Sequence, residues 1–364
     1  MKNHLLATTA LVAAGVLGSQ GALAEARPIE LTVGGFMEQW FGYGSSDTDT
    51  VRGDVSDVDT KADAEIHFTG STTTDNGLTF GVNVQLEAES GGDQIDEAYL
   101  FTRGGFGEIL LGSENGAAYA MHYGFNSVGA TLNSGDLQDW IVGTDFFLTG
   151  TYQGFRNRDN DSQKIRWISP RIAGFQIGAD YSPEARQDSD SFPTETKNHR
   201  NAEEQVYSLG VNYDNTFGEV QLRLSGGFQG IGDGNLVSGE TPYTYGFGAL
   251  LNVGSFELGA SGTHENDVAT STVPGTVGFD RTVIGGSLVH REGLKAYSVA
   301  AAYGWSEFNT GGDDEQFSVE LGTRYIIGPG VSVAASLYYA DRENDQTGED
   351  TDGWAFVYGL VLQF

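Results

Sequence analysis

The chain has 364 residues, with 19 Lys+Arg against 50 Asp+Glu and a formal charge of −31 at pH 7. That balance excludes nucleic-acid binding through phosphate contacts, which need a basic surface. It contains no cysteine, which excludes a disulfide framework and thiolate chemistry.

In chain order, Lys2 and His4 precede an apolar run from Leu5 to Leu17 and then the small-residue site Ala22-Leu23-Ala24. Together they predict a secretory signal over residues 1–24 and a single domain over residues 25–364. After the signal, no stretch approaches the ~20 apolar residues that a spanning helix requires. An exported chain of this length without disulfides needs another source of cooperativity, and a closed ladder of strands is one.

The next signal is an alternation of period two, which puts successive side chains on opposite faces of a strand. Leu78, Phe80, Val82, Val84 and Leu86 fall on one face, with Thr79, Gly81, Asn83, Gln85 and Glu87 on the other. Val220, Leu222 and Leu224 alternate with Gln221, Arg223 and Ser225, and Phe317, Val319 and Leu321 with Ser318, Glu320 and Gly322. At the C-terminus Trp354, Phe356, Tyr358, Leu360, Leu362 and Phe364 alternate with small or polar residues. The runs last about ten residues, the length of a tilted strand crossing a bilayer, whereas sandwich strands average about five or six.

Turn signals sort into two kinds along the chain. Seven are short, at Asp75–Gly77, Gly104–Gly107, Pro170–Gly174, Asp214–Gly218, Val253–Ser255, Glu292–Gly293 and Gly328–Gly330. Eight long segments rich in acids, Gly, Ser and Thr alternate with them, at about 44–60, 90–94, 114–160, 183–203, 230–242, 265–279, 306–313 and 341–352. Fifteen connections join sixteen strands. The fold class expected is therefore all-β: a closed antiparallel transmembrane barrel with short periplasmic turns and long extracellular loops. Closure follows from the cost of an unpaired backbone group in hydrocarbon, several kcal/mol. Aromatics near the strand ends, among them Trp40, Phe41, Tyr43, Tyr243, Tyr303, Tyr338, Tyr339 and Trp354, read as interfacial girdles.

The segments GSTTTDNGLTFGVNVQLEAE and DQIDEAYLFTRGGFGEILLGSENGAA, with the terminal FVYGLVLQF, resemble the Gram-negative porin family over the whole chain. The resemblance implies an outer-membrane homotrimer of 16-stranded barrels for passive diffusion of ions and small hydrophilic solutes. The third loop would fold into the lumen, and Phe364 would be read by the barrel-assembly machinery. Lipid and lipopolysaccharide would surround the barrel. No Pro-Glu-Phe-Gly-Gly segment of the enterobacterial type occurs in the third loop.

Pores select by width and by the charge that lines them, because a narrow constriction focuses the field of a few charges. The candidates in the third loop are Glu114, Asp136, Asp139 and Asp145, opposite wall bases Lys164, Arg166, Arg223 and Arg324, with His67 on the polar face of the second strand. The acidic excess predicts a weak preference for cations. Acid-rich stretches at Asp47–Asp49, Asp54–Asp59, Asp159–Asp161 and Asp341–Asp352 also invite a Ca2+ reading, although none completes an EF-hand loop and solvated external loops suit them better. Apart from Ca2+, no cofactor is expected. No His-Glu-x-x-His pair or Gly-x-Ser-x-Gly elbow occurs, so an enzyme is not expected. Two other readings remain: a solute-specific channel, and a secreted β-rich adhesin or binding module outside any membrane.

Overall fold

The computed structural model describes residues 29–48, 54–88, 95–130, 140–144, 155, 158–185, 203–234, 242–269, 278–308, 311–345 and 348–364. The strands are β1 (Glu30–Thr48), β2 (Val55–Thr73), β3 (Thr79–Glu87), β4 (Ile95–Gly104), β5 (Gly107–Ser113), β6 (Gln163–Ile168), β7 (Phe175–Glu184) and β8 (Glu203–Phe217). They continue as β9 (Val220–Gly234), β10 (Tyr243–Val253), β11 (Phe256–Ala269), β12 (Gly278–Glu292), β13 (Lys295–Phe308), β14 (Asp313–Gly328), β15 (Val331–Asn344) and β16 (Glu349–Gln363). Each pairs antiparallel with its sequence neighbours, and β1 pairs with β16 from Phe36↔Gln363 to Thr48↔Thr351, so the sheet closes. A single helical turn, α1 (Ala117–Ala120), interrupts the alternation.

Closure leaves no edge, which is what a sheet in hydrocarbon requires. The outward band is apolar: Leu100, Leu209, Phe247, Leu258, Leu321 and Tyr358 are among its exposed side chains. The opposite set, including Ala300, Ala355 and Val357, is buried against the barrel contents. The period-two reading therefore holds with its large apolar face turned outward, opposite to a soluble sandwich.

Six of the seven short turns fall where the sequence places them, whereas at Asp214–Gly218 β8 runs on to Phe217 and the chain reverses at Gly218 and Glu219. Several strands, however, run further than the loop boundaries predict. Residues 55–59 belong to β2, 341–344 to β15 and 349–352 to β16, leaving only 345–348 between the last two. Asp341, Asp352 and Asp47 sit side by side in the ladder, as Asp341↔Asp352 and Asp47↔Asp352. Backbone bonds order such a segment outside the bilayer while water solvates its carboxylates, so acidic composition does not end a strand. Two aromatics of the expected girdles also turn inward: Trp40 and Tyr338 are buried, while their neighbours Phe41 and Tyr339 face out. Residues 1–28, and with them the signal reading, lie outside the described residues.

Candidate functional site: the lumen and its third loop

Of the connection between β5 and β6, the described residues 114–130, 140–144, 155 and 158–162 lie within the barrel, and 117–130 run along its inner wall. Successive strands supply acceptors for its amides. Ala117 N donates to Asp180 Oδ1 of β7 at 3.0 Å, and Ala118 N to Ser208 Oγ of β8 at 2.8 Å. Tyr123 N donates to Ser225 Oγ of β9 at 2.8 Å and Asn126 N to Ser287 Oγ of β12 at 3.0 Å. Val128 N then reaches Ser298 Oγ of β13 at 3.1 Å, and Ala130 N reaches Ser336 Oγ of β15 at 2.7 Å. These bonds satisfy backbone groups that would otherwise be buried without partners. Small wall residues make the close approach feasible: a Cβ on Gly248 would overlap the Tyr123 carbonyl, and one on Gly285 the Phe125 ring.

A second stretch of the loop lies at the seam between the first and last strands. Trp140 rests on Gly42 and Gly44 of β1 and Ile141 on Gly353 of β16, while Arg342 Nη1 donates to the Gly143 carbonyl at 2.8 Å. The returning segment is fixed by Arg158, whose amide donates to Gln229 Oε1 at 2.9 Å and whose Nε donates to Thr244 Oγ1 at 2.7 Å.

The structure places the basic candidates on the wall, and most of them grip the loop. Lys164 is buried; Nζ donates to the Glu114, Asp159 and Ser162 carbonyls and lies 3.7 Å from the Asp159 carboxylate. Arg166 Nη1 donates to the Asn115 carbonyl at 2.7 Å, and Nη2 stands 3.6 Å from both Glu108 and Glu114. Arg324 donates from Nε to Val128 O at 2.9 Å and from Nη2 to Gly129 O at 3.2 Å. Arg223 pairs with Glu257 at 3.4 Å and lies over the Tyr123 ring. Of the acidic candidates, Glu114 is beside Arg166, whereas Asp136, Asp139 and Asp145 lie outside the described residues.

His67 meets Glu65 at 2.7 Å on the inner face of β2. Next to it, a bulge in β4 sets Ile95 opposite Leu86 but Ala98 opposite Val84. The extra residue turns both Asp96 and Glu97 inward. Asp96 approaches Glu65 and Glu87, their carboxylate oxygens lying within 4.8 Å of one another, and Glu97 accepts from Gln85 at 2.6 Å and from Asn115 at 2.8 Å. Sequence alternation misses this pair of adjacent inward acids, and it misses the serine acceptors, because small residues on a polar face give no distinctive periodic signal.

Phe364, the expected assembly terminus, is 68 % exposed at the end of β16; its amide donates to Gly35 O at 3.1 Å and its carbonyl accepts from Gly35 N at 2.9 Å.

A closed barrel with an apolar outer band and a lumen narrowed by its own third long connection defines a membrane channel of the β-barrel class. The profile of the Gram-negative porins matches residues 7–345, and the chain belongs to that family. No curated sequence matches significantly. Among solved structures it is similar to the trimer form of OmpT, an outer membrane protein of Vibrio cholerae, with 16 % identity over 92 % of this chain and 99 % of that one and a TM-score of 0.58. It is also similar to an anion-selective porin from Comamonas acidovorans (15 % identity, 92 % and 100 % covered, TM-score 0.58). A third is the outer membrane channel DcaP of Acinetobacter baumannii (11 % identity, 91 % and 97 % covered, TM-score 0.58). At these identities the likenesses show the fold. Family membership places the chain in the outer membrane as a passive diffusion channel.

Proposed function

We propose that this channel passes cations and small neutral polar solutes more readily than anions. The supporting observation is the charge of the inner face of β2–β4, where Asp63, Glu65, Glu87 and Asp96 stand against Lys61 and His67. The bases elsewhere on the wall are largely engaged: Lys164, Arg166 and Arg223 with carboxylates, and Arg324 with loop carbonyls. Fixed charge in a confined aqueous path raises the local concentration of the opposite ion. Glu114, held beside Arg166, is the loop acid that contributes a transverse field at this level.

The proposal includes a homotrimer in lipid and lipopolysaccharide, with Phe364 presented to the barrel-assembly machinery. The outward apolar band and the trimeric form of the Vibrio relative support self-association. Planar-bilayer recording across a KCl gradient tests the selectivity: the zero-current potential is expected on the K+ side. A potential on the Cl− side overturns it. Unheated gel migration and cross-linking in detergent test the trimer.

A further inference from the structure

On the outward face of β14, β15, β16 and β1, three hollows lie in line along the strands. The first is an apolar groove of about 550 Å3 with the short side chains of Ala335 and Thr323, ladder partners of β15 and β14, at its floor. Phe41 and Tyr358, whose rings stack at 5.9 Å, wall one side, and Tyr325 and Val333 stand toward the end that carries Phe364. Its two polar side chains are bonded to backbone carbonyls, Gln39 Nε2 to Lys61 O at 2.9 Å and Thr323 Oγ1 to Ala296 O at 3.2 Å. The second hollow, of about 320 Å3, continues the track between Leu321, Leu337, Tyr339 and Trp354. In the next outward row Asp341, Asp352 and Asp47 stand side by side and, with Glu343 and Asp350, line the third, of about 300 Å3, which has no base among its lining residues.

We propose that this track seats one outer-leaflet lipid, with its acyl chain in the apolar groove and an amine-bearing headgroup on the row of carboxylates. Within the lipid surroundings proposed above, it names one seat and the charge of the headgroup that fits it.

Length supports the assignment. Tyr339 and Val333 are six residues apart on β15, about 20 Å at the rise of a strand. At a tilt of about 45° the track descends about 14 Å, one leaflet of a ~30 Å hydrocarbon core. Tyr339 and Trp354 stand at its head, where aromatic residues meet the headgroup layer, and the Tyr339 hydroxyl lies 3.5 Å from the Asp341 carboxylate. The chain is therefore in hydrocarbon and the acids are among headgroups.

Charge selects the headgroup. An ammonium gains charge-assisted hydrogen bonds from the row, whereas an unbridged phosphate is repelled by several carboxylates at once. A second copy of the protein is a poorer occupant, since the described outward side chains at the loop ends of the strands include no Lys or Arg.

The test uses tetradecylamine and tetradecyl sulfate, alike in chain and opposite in charge. Each is titrated with EDTA present into the protein in dodecyl maltoside, and bound ligand is counted by native mass spectrometry. The amine is expected to bind about tenfold more tightly or better, the worth of one charge-assisted hydrogen bond. Asp341→Asn with Asp352→Asn should bring the two ligands close to parity. Ala335→Trp, which fills the floor of the groove, should weaken the amine about tenfold, as loss of burial for two methylenes does. Both variants should keep the conductance and unheated gel mobility of the wild type, so that the channel reading is judged separately. Should Ala335→Trp fail to fold, Thr323→Phe in the same row carries the same expectation. Equal binding of amine and sulfate by the wild type overturns the proposal, as does amine binding that neither variant changes. Sulfate binding that overtakes the amine once Ca2+ replaces EDTA overturns it in favour of a metal-bridged anionic lipid. A lower oligomeric mass of Ala335→Trp with amine binding intact overturns it in favour of a second copy.

Discussion

Arg324 on β14 and Val128 in the third loop, 196 residues apart in sequence, are joined by a 2.9 Å bond from the guanidinium Nε to the carbonyl. The Gly129 carbonyl takes a second bond from the same side chain, and Ser298 and Ser336 accept the amides on either side. Charge-assisted bonds of this kind contribute about 1.5–3 kcal/mol each. Arg324→Ala is therefore expected to free the loop around Ala130 while leaving the barrel closed. Single-channel traces should show larger and noisier current steps, with unheated gel mobility unchanged. Arg324→Lys, which keeps the charge but not the planar fork, should recover only part of the quiet behaviour.

A bulkier residue in the wall should act on the same loop from beneath. Gly285 lies under the Phe125 ring, so Gly285→Leu forces the ring away, at a cost of about 1–3 kcal/mol for overpacking. The expected outcome is faster protease cleavage within residues 114–162, with the heat-modifiable band retained. Equal protection of variant and wild type would show that the loop is not held at this point.

Buried charge inside the barrel gives a further test. Arg281 on β12 donates from Nε to Glu265 Oε2 on β11 at 2.8 Å, and both side chains are almost fully buried. Removing one partner strands the other, which typically costs about 3–5 kcal/mol. Arg281→Ala should lower the temperature at which the folded gel band disappears. The double change Arg281→Met with Glu265→Leu should restore much of it.

Loop docking should depend on pH through Asp161. Burial, and then the nearby Asp96 carboxylate, push this carboxyl up to about 7, with Lys164 opposing. Between its ordinary value of 3.8 and about 7 the folded chain holds a proton that the unfolded chain releases, so this group's contribution favours folding less as pH rises through that window. Above about 7 the loss is complete. Asp161 has a φ of 53°, a conformation that Asn also tolerates. Asp161→Asn is therefore expected to be more heat-resistant than wild type at pH 8, by on the order of 2–4 kcal/mol, and close to it at pH 4. Equal differences at the two pH values would rule the carboxyl out.

The barrel was legible in the sequence because both of its signals are local. Alternation such as Trp354 to Phe364 shows which face meets lipid, and turn residues such as Asp75–Gly77 show where each hairpin reverses. Strand ends outside the bilayer were less legible, since Asp341 and Asp352 look like loop residues until the ladder pairs them. The lumen was legible only in outline. Lys164, Arg166 and Arg324 do point inward, but contacts between positions 50, 51 and 196 residues apart decide that they hold loop carbonyls. Ser208, Ser225, Ser287, Ser298 and Ser336 carry no mark in the sequence that separates them from serines facing open water.

Trp140 and Ile141 touch β1 and β16 together, so a segment from the middle of the polypeptide spans the join between its two ends. The surface that receives these side chains exists only once Gly42, Gly44 and Gly353 have been brought side by side by the closing strand pair. Seating of this stretch of the constriction accordingly requires the cylinder to be closed, and contacts of such long sequence separation form slowly. The join that seals the cylinder is thus also the seat of part of its constriction.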